Sequence, residues 1–209
     1  MRVTTALMLA AGFHTSPEWV RGPIQRALRF AVVAPAVAQG NFPAGGRFPA
    51  VSGSNLNGRK FELPGDFGGQ WNIVVVAFRR EQQADVDAWM PQLKRLAERD
   101  ERVRVYELPT LGRNYRLMRR FIDGGMAGGI PDTAVRAITI TLYTDKGAFK
   151  RSLGIATEDR IQLFLVSRAG DVAWHGEGLP SPDLVAALTE RLESRLAAGT
   201  SAPGGAPPP

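Results

Sequence analysis

Residues 73–91 read IVVVAFRREQQADVDAWMP, and this stretch decides the fold. Its first six residues are an unbroken apolar run, which predicts a strand buried on both faces of a sheet. Apolar residues then recur at helical spacing, which predicts an amphipathic helix directly after the strand. These helical positions are Val86, Trp89, Leu93 and Leu96. Residues 79–83 therefore form a corner between a central strand and its helix.

The segment before this stretch predicts a small hairpin. Residues 48–67 alternate short apolar pieces with glycine and asparagine, and Asn57-Gly58 stands between Leu56 and Phe61. An Asn-Gly pair between apolar pieces is a strong signal for a two-residue hairpin turn. We therefore expect the folded domain to start near Phe48.

The segment after the stretch continues with alternating strands and helices. Residues 103–108 alternate in polarity and predict a second strand, parallel to the first. Residues 113–123 predict an extra helix, and the glycine-rich run GGMAGGIPD at 124–132 predicts a break. The apolar contacts expected of that helix are Tyr115, Leu117, Met118, Phe121 and Ile122. A third strand over 137–143 and a short helix over 146–153 follow.

The C-terminal part predicts an antiparallel hairpin and a final helix. Strands over 161–166 and 172–174 are separated by a short polar turn. Ser181 predicts a helix cap with Pro182 in the first position, and Leu184, Leu188 and Leu192 predict the inner face. This order predicts a thioredoxin-like, three-layer α/β/α fold with an N-terminal hairpin and an extra helix after the second core strand. A doubly wound nucleotide-binding fold is the alternative, and the terminal hairpin argues against it.

We expect three regions in the chain: an N-terminal targeting or disordered extension over 1–47, the domain over 48–198, and a disordered Pro/Gly-rich tail over 199–209. A basic stretch, a short apolar run and Ala36-Val37-Ala38 follow one another as in an export signal. This order favours an exported or membrane-associated protein. A targeting peptide or a disordered extension of a cytoplasmic protein is the alternative.

Composition excludes several classes of function. The chain has no cysteine, which rules out thiol catalysis, disulfides and thiolate metal sites. Its two histidines, His14 and His175, are too few for a structural zinc site, and no cofactor or metal is predicted. Residues 1–47 carry +4 of the formal charge of +6, so the domain is too weakly basic for a nucleic-acid binder unless its charge lies on one face.

The strand-to-helix corner is the first candidate binding site, because ligands of open α/β sheets bind beyond the carboxyl ends of strands. Arginines there could hold an anion or a partner's carboxylate, and the glutamines could add neutral hydrogen bonds. The candidate residues are Arg79, Arg80, Glu81, Gln82, Gln83 and Asp85. The alternative is a solvated loop whose acids complement the helix dipole.

A basic helical face is the second candidate. Arg113, Arg116 and Arg120 fall on one face at spacings of three and four, with no acid between Leu108 and Ile122. Such a face could meet phosphates, anionic lipid headgroups or an acidic partner. The alternative is a solvated face. Glycines 124, 125, 128 and 129 lack the following Lys and Ser/Thr of a phosphate-binding loop and predict a connector.

A non-thiol enzyme is a rival hypothesis. It would use Arg80 and Glu81 together with His175, which could serve as a general base at the end of the last strand. This hypothesis requires a pocket that brings the three side chains together. No recognisable nucleophile stands beside His175, which favours a surface or partner-contacting histidine.

Several segments together resemble a known family. They are FPAVSGSNLNGRKFELP (48–64), VVVAFRREQQADVDAWMP (74–91), VYELPTLGRNYRLMRRFIDGGM (105–126), TLYTDKGAFKRSLGI (141–155) and LFLVSRAGDVAWHGEG (163–178). The chain resembles, over about residues 48–192, the mitochondrial ATP synthase assembly factors and their bacterial relatives. The resemblance implies a thioredoxin-like fold without redox cysteines, and a non-catalytic role.

The expected function is therefore a redox-inactive binding or assembly module, similar to a chaperone. The resemblance implies a protein partner, with a hydrophobic subunit of a membrane complex such as ATP synthase as a client. Residues 154–160 contain no proline where thioredoxin-like enzymes have a cis-proline. The alternatives are a non-thiol enzyme, a small-anion-binding protein that uses residues 79–83, and a protein that binds anionic membrane through residues 113–120 and the N-terminus.

Overall fold

One mixed seven-stranded sheet organises the part of the chain that our computed structural model describes, residues 46–200. Its strands are β1 (Val51–Asn55), β2 (Lys60–Leu63), β3 (Trp71–Ala77), β4 (Val103–Gly112), β5 (Ile140–Thr144), β6 (Gln162–Ser167) and β7 (Val172–Glu177). The helices are α1 (Gln83–Arg99), α2 (Arg119–Gly129), α3 (Thr133–Ile138), α4 (Lys146–Ser152) and α5 (Pro182–Thr200). Two 3-10 segments cover Arg80–Gln82 and Arg113–Met118. The predictions for residues 1–45 and 201–209 lie outside the described residues.

The strand order is β2-β1-β5-β4-β3-β6-β7. Strands β3, β4 and β5 are parallel neighbours, whereas β1-β2 and β6-β7 are antiparallel hairpins at the two ends of the sheet. The predicted parallel pairing of the first two core strands and both predicted hairpins are therefore confirmed. The turn of the first hairpin places Gly58 at a φ of 88°, a left-handed conformation that favours glycine.

The core consists of two apolar layers, one on each face of the sheet. In β3, Val74 and Val76 pack on the layer that includes Phe149 and Leu153 from the α4 side. Ile73 and Val75 pack on the other layer, under α1 and α5. Alternate side chains of a strand point to opposite faces, so the unbroken apolar run of β3 supplies both layers. The predicted three-layer α/β/α arrangement is confirmed.

Helices α1 and α5 cover one face of the sheet as their sequence patterns predict. Helix α1 buries Val86, Trp89, Leu93 and Leu96. The indole nitrogen of Trp89 donates to the Gly178 carbonyl oxygen at 2.7 Å, which ties α1 to the end of β7. Helix α5 starts with the predicted cap, because the Leu184 amide donates to the Ser181 hydroxyl at 3.2 Å.

The segment between β4 and β5 differs from its prediction in three ways. Strand β4 continues past residue 108 to Gly112, because its last residues pair with β5. The glycine-rich run predicted as a break is helical up to Gly129. Residues 137 and 138, predicted as the start of the third strand, belong to the end of α3 instead, and the Asp132 carboxylate caps this helix by accepting from the Ala134 amide at 2.7 Å.

Candidate functional site

Gln82 holds the strand-to-helix corner together. Its side chain is buried, and its Oε1 accepts from the amides of Phe78 at 2.8 Å and Arg79 at 3.2 Å. Its Nε2 donates to the Glu158 carbonyl oxygen at 2.8 Å. All of these partners belong to the fold itself. Gln82, predicted as a source of hydrogen bonds for a ligand, instead joins the end of β3 to the loop before β6.

Of the other corner residues, two form contacts within the fold and the rest are exposed or half-buried. Arg79 forms a salt bridge with Asp159 at 2.8 Å, and Gln83 donates to Asp87 at 3.0 Å. Arg80 and Glu81 are exposed on the 3-10 turn, and Asp85 is half-buried. The corner is thus mostly engaged in local contacts, and its binding role stays a prediction that concerns chiefly Arg80 and Glu81.

Glu158 reinforces this closed arrangement. It forms salt bridges with Lys146 and with Lys150, the latter at 3.0 Å. Burial acts to raise the pKa of Glu158, but the two lysines outweigh burial and hold that pKa below its ordinary value. The loop that Gln82 contacts is therefore anchored to α4 as well.

The geometry that the non-thiol enzyme hypothesis requires is not found at His175. Its ring is buried, stacks on Phe164 at a centroid distance of 4.6 Å, and shares a 2.7 Å hydrogen bond between Nε2 and Gln162 Oε1. Arg80 and Glu81 are solvent-exposed instead. His175 is therefore a buried residue that packs within the domain.

The insertion, which we define as residues 113–129, contains a row of arginines. Its first six residues are a 3-10 helix, in which side chains three positions apart align because a turn contains about three residues. Arg113 and Arg116 consequently lie in one row that Arg119 extends at the start of α2. The sequence-based face of Arg113, Arg116 and Arg120 assumed α-helical spacing, so it selected Arg120 in place of Arg119.

This row borders a cleft of about 710 Å³, which we call the basic cleft. Arg113, Arg116 and Arg119 of the insertion line this cleft together with Lys60 and Glu62 of β2. Arg120 is absent from its described lining. Four cationic side chains face one carboxylate here, which gives the lining a net formal charge of +3. The volume is in the range typical of small-molecule sites.

The floor of the basic cleft is the β2-β1-β5 end of the sheet. Ser52, Thr141 and Tyr143 lie on it, on the opposite face from the core residues Ile140 and Leu142. The Ser52 hydroxyl donates to Glu62 at 2.7 Å. The Tyr143 hydroxyl donates to Asp123 at 2.9 Å, and burial together with this carboxylate raises the pKa of Tyr143.

Thr141 is the unusual residue of this floor. It is fully buried, and its hydroxyl has no hydrogen-bond partner among the described residues. A buried hydroxyl without a partner costs about 1–3 kcal/mol of stability. Such a group beside a cleft can be satisfied by whatever enters the cleft.

The outer side of the insertion is an apolar ridge, which we define as Tyr115, Leu117, Met118 and Phe121. Their exposed fractions are 46%, 98%, 54% and 79%, respectively. The prediction that they contact the core is therefore wrong. Tyr115, Leu117 and Met118 lie on the other two rows of the 3-10 helix, and Phe121 follows them in α2.

Glu107 is a buried acid that the sequence analysis missed as a candidate. It is 4% exposed in the middle of β4, where the Thr139 hydroxyl lies 3.4 Å from its carboxylate. Burial raises its pKa, and hydrogen bonds from Thr139 and Gln83 offset this only in part. The signal was present in the sequence, because Glu107 continues the alternation of the inward-facing Val103 and Val105.

The described residues contain neither a metal-binding cluster nor a membrane-spanning helix. No group of three or more His, Cys, Asp or Glu side chains in residues 46–200 could hold a metal ion. Within the same residues, none of the helices has the length and apolar character needed to span a bilayer.

Solved structures resemble this chain at low sequence identity. A candidate electron transfer protein from Aquifex aeolicus VF5 is 11% identical, with a TM-score of 0.50 over 71% of this chain and 97% of its own. A thiol:disulfide interchange protein from Bacteroides sp. is 19% identical, with a TM-score of 0.48 over 71% and 90% of the two chains. The thioredoxin domain of a thiol-disulfide oxidoreductase from Bacteroides vulgatus is 20% identical, with a TM-score of 0.47 over 70% and 96%.

Comparisons of sequence gave no match. No protein-family model and no curated protein matches the chain. The structural likenesses concern the fold alone. With the sheet order and the helices on both faces, the chain has a thioredoxin-like fold that lacks every cysteine on which thiol-disulfide chemistry depends.

Proposed function

We propose that this protein is a redox-inactive thioredoxin-like binding module that holds an apolar segment of a client protein on its insertion. The observation that carries the proposal is the apolar ridge, where Leu117 is 98% exposed and Phe121 is 79% exposed. Isolated exposed apolar residues are common, but a contiguous set of large ones marks an interaction surface. Because the chain has no cysteine, thiol redox chemistry is not available to it, which favours a binding role.

Charge around the ridge indicates what kind of client segment fits. Arg120 directly precedes Phe121, is exposed, and lies outside the described lining of the basic cleft. Opposite charges across an interface favour encounter and select the orientation of the partner. The preferred client is thus an apolar segment with acidic residues at its ends.

An assembly role is the more specific form of this proposal. The family resemblance of residues 48–192 supports a hydrophobic subunit of a membrane complex, such as ATP synthase, as the client. Transient cover of an apolar segment by the ridge would keep that segment from aggregating before assembly. The family resemblance supports the identity of the client, whereas the exposed apolar side chains support the ridge as the surface that binds it.

The proposal is tested with defined peptides. A labelled apolar peptide of about fifteen residues with glutamates at both ends is titrated with the protein, and a second peptide carries lysines instead. We expect the acidic-ended peptide to bind more tightly, and Leu117→Ser with Phe121→Ser to weaken it at least tenfold. Leu179→Ser is the matched control, because Leu179 is 59% exposed but lies outside the insertion.

Three results would overturn this assignment. They are equal binding of both peptides, equal loss in the Leu179→Ser control, and concentration-dependent self-association that the ridge variants abolish. The last result would assign the ridge to a second copy of the chain. Crosslinking from position 117 in native membranes then tests the client, and capture of ATP synthase membrane subunits would support the assembly role.

A further inference from the structure

We propose that the basic cleft is a binding site for a ligand that carries phosphate groups. The inference goes beyond the proposed client binding, because the cleft lies on the sheet side of the insertion and the ridge lies on its outer side. It concerns the end of the sheet formed by β2, β1 and β5, remote in sequence from the strand-to-helix corner.

Most of the positive charge that lines the basic cleft is not balanced by salt bridges within residues 46–200. Arg113, Arg116 and Lys60 line the cleft and form no salt bridge with the described residues, although Asp145 lies within electrostatic range of Arg113. Arg119 contacts Asp123 at 3.7 Å, and Glu62 already accepts a hydrogen bond from Ser52. Cations gathered around a concave surface repel each other and raise the local potential for an anion.

The spacing of the arginines in the row also suits a phosphate-bearing ligand. A 3-10 helix rises about 2.0 Å per residue, so arginines three positions apart start about 6 Å from each other along the row. Each guanidinium presents a planar fork of donors that matches two oxygens of a phosphate. The row therefore offers several such forks side by side, which suits a ligand with more than one anionic group.

A buried hydroxyl in the cleft lining also favours a bound ligand, and this observation does not depend on charge. The Thr141 hydroxyl is buried, borders the cleft and has no hydrogen-bond partner among the described residues. Ser52 and Thr144 add further hydroxyl groups to the lining. A phosphate has acceptor oxygens in several directions and can accept from hydroxyl and guanidinium groups at once. A bound phosphate would therefore give the Thr141 hydroxyl a hydrogen-bond partner, whereas a basic face that meets only solvent would not.

Phosphate fits this lining better than a single carboxylate does. The lining has a net formal charge of +3, whereas a phosphate monoester carries about −1.5 to −2 at neutral pH and a carboxylate −1. The volume of about 710 Å³ also exceeds what a lone phosphate needs. A soluble phosphate ester or oligophosphate and the headgroup of an anionic phospholipid share this chemistry.

The test measures binding of inorganic pyrophosphate and tripolyphosphate by titration calorimetry at low ionic strength. Vesicles of phosphatidic acid in phosphatidylcholine are measured in parallel by flotation, with pure phosphatidylcholine for comparison. Soluble binding without flotation assigns the site to free phosphate compounds. Flotation that pyrophosphate abolishes assigns it to a lipid headgroup. Either result supports the site.

Paired variants separate a built site from general attraction. Arg116→Ala and Lys60→Ala should each weaken binding about tenfold or more, since a hydrogen bond to a charged group contributes about 1.5–3 kcal/mol. Arg120→Ala is the matched control, because it removes the same charge from the insertion but lies outside the described cleft lining. We expect it to change affinity less than about threefold, with circular dichroism confirming that each variant is folded.

Thr141→Val gives a second readout that does not depend on charge. It removes the orphaned hydroxyl with little change of shape, so the unliganded protein should be as stable as the wild type or more stable. Affinity for pyrophosphate should fall nevertheless. Absence of binding to every probe, or equal losses in Arg116→Ala and Arg120→Ala, would overturn the proposal.

Discussion

At the scale of single residues, Gln82 shows how one buried side chain holds a strand-to-helix corner together. Its amide satisfies the backbone of Phe78 and Arg79 and reaches across to Glu158. The corner is thereby closed by hydrogen bonds within the chain. A polar side chain at this corner is therefore compatible with a function that involves no chemistry there.

Gln82→Ala tests this role. The change leaves the buried Phe78 amide without its side-chain acceptor, so we expect a loss of about 1–3 kcal/mol in the free energy of unfolding. Urea denaturation followed by tryptophan fluorescence measures it. Glu81→Ala, in the same 3-10 turn but exposed, should stay within about 0.5 kcal/mol of the wild type. Equal effects of the two changes would contradict the role of Gln82.

Glu107 predicts a dependence of stability on pH. Because burial raises its pKa in the folded state, the folded protein binds the proton more tightly than the unfolded chain does. Its favourable contribution is present below the unfolded pKa, about 4.3 for glutamate, and is lost as pH rises through the folded pKa. Glu107→Gln should therefore stabilise the protein increasingly as pH rises from 4 to 7.

Urea midpoints measured across this pH range check the prediction for Glu107. Glu101→Gln is the control, because Glu101 is exposed in the turn just before β4. Its midpoints should follow those of the wild type at every pH. A constant difference between Glu107→Gln and the wild type would show that Glu107 does not titrate abnormally.

Sequence patterns could predict which way a side chain faces, but not whether it is buried or which residues it contacts. The alternation of Val103, Val105 and Glu107 predicts that all three face the same way, yet only the packing of α1 over β4 shows that Glu107 is buried. Gln82 is similar, because a glutamine in a polar corner looks solvated until its long-range partner at 158 is known. Contacts between residues distant in sequence leave no local signal.

At the scale of elements, the winding of the 3-10 helix determines which residues of the insertion line the basic cleft. In the 3-10 segment, arginines at intervals of three form the row along the basic cleft. Single-sequence patterns distinguish 3-10 from α-helical winding poorly because both are helical and amphipathic. The apolar residues of the ridge likewise fitted a core-facing pattern. Periodicity predicts that a helix has an apolar side, but it does not predict that something covers that side.

The glycines of α2 predict local stabilisation by alanine. A Cβ added at Gly124 or Gly125 would meet no other atom within 4 Å. Each Gly→Ala change in a helix interior should stabilise α2 by about 0.5–1 kcal/mol. We expect slower amide hydrogen exchange in α2 with little change in the global unfolding midpoint, because α2 has no buried residue.

Gly53→Ala is the contrasting control for the α2 glycines. A Cβ there would stand 2.7 Å from the Ile140 Cγ2 atom and 2.8 Å from the Leu142 Cδ2 atom. Such overpacking should lower the global free energy of unfolding by about 1–3 kcal/mol. Exchange in α2 that stays fast in Gly124→Ala would argue against a helix at these residues.

At the scale of the whole molecule, the insertion contributes no residue to the buried core. The two apolar layers lie on the faces of the sheet, whereas the 3-10 helix and α2 have no buried residue. The unbroken apolar run of β3 and the N-terminal cap of α5 made this core predictable from the sequence. The surfaces proposed here for binding were less predictable, because they do not take part in the core pattern.

Replacing residues 113–129 by a Gly/Ser linker should therefore leave a folded protein. A linker of about ten residues spans up to about 33 Å. The melting temperature should fall by no more than a few degrees, because neither helical segment of the insertion has a buried residue. Scanning calorimetry measures it. Complete loss of cooperative unfolding would show that the insertion belongs to the core.

The position of the insertion also bears on how such proteins diversify. Mutations in most proteins are filtered first by their effect on folding, and a surface built on core residues changes slowly for that reason. Residues 113–129 bury no side chain, so their sequence can drift and acquire new partners without that filter. The sheet can then serve as a scaffold onto which other recognition segments are grafted.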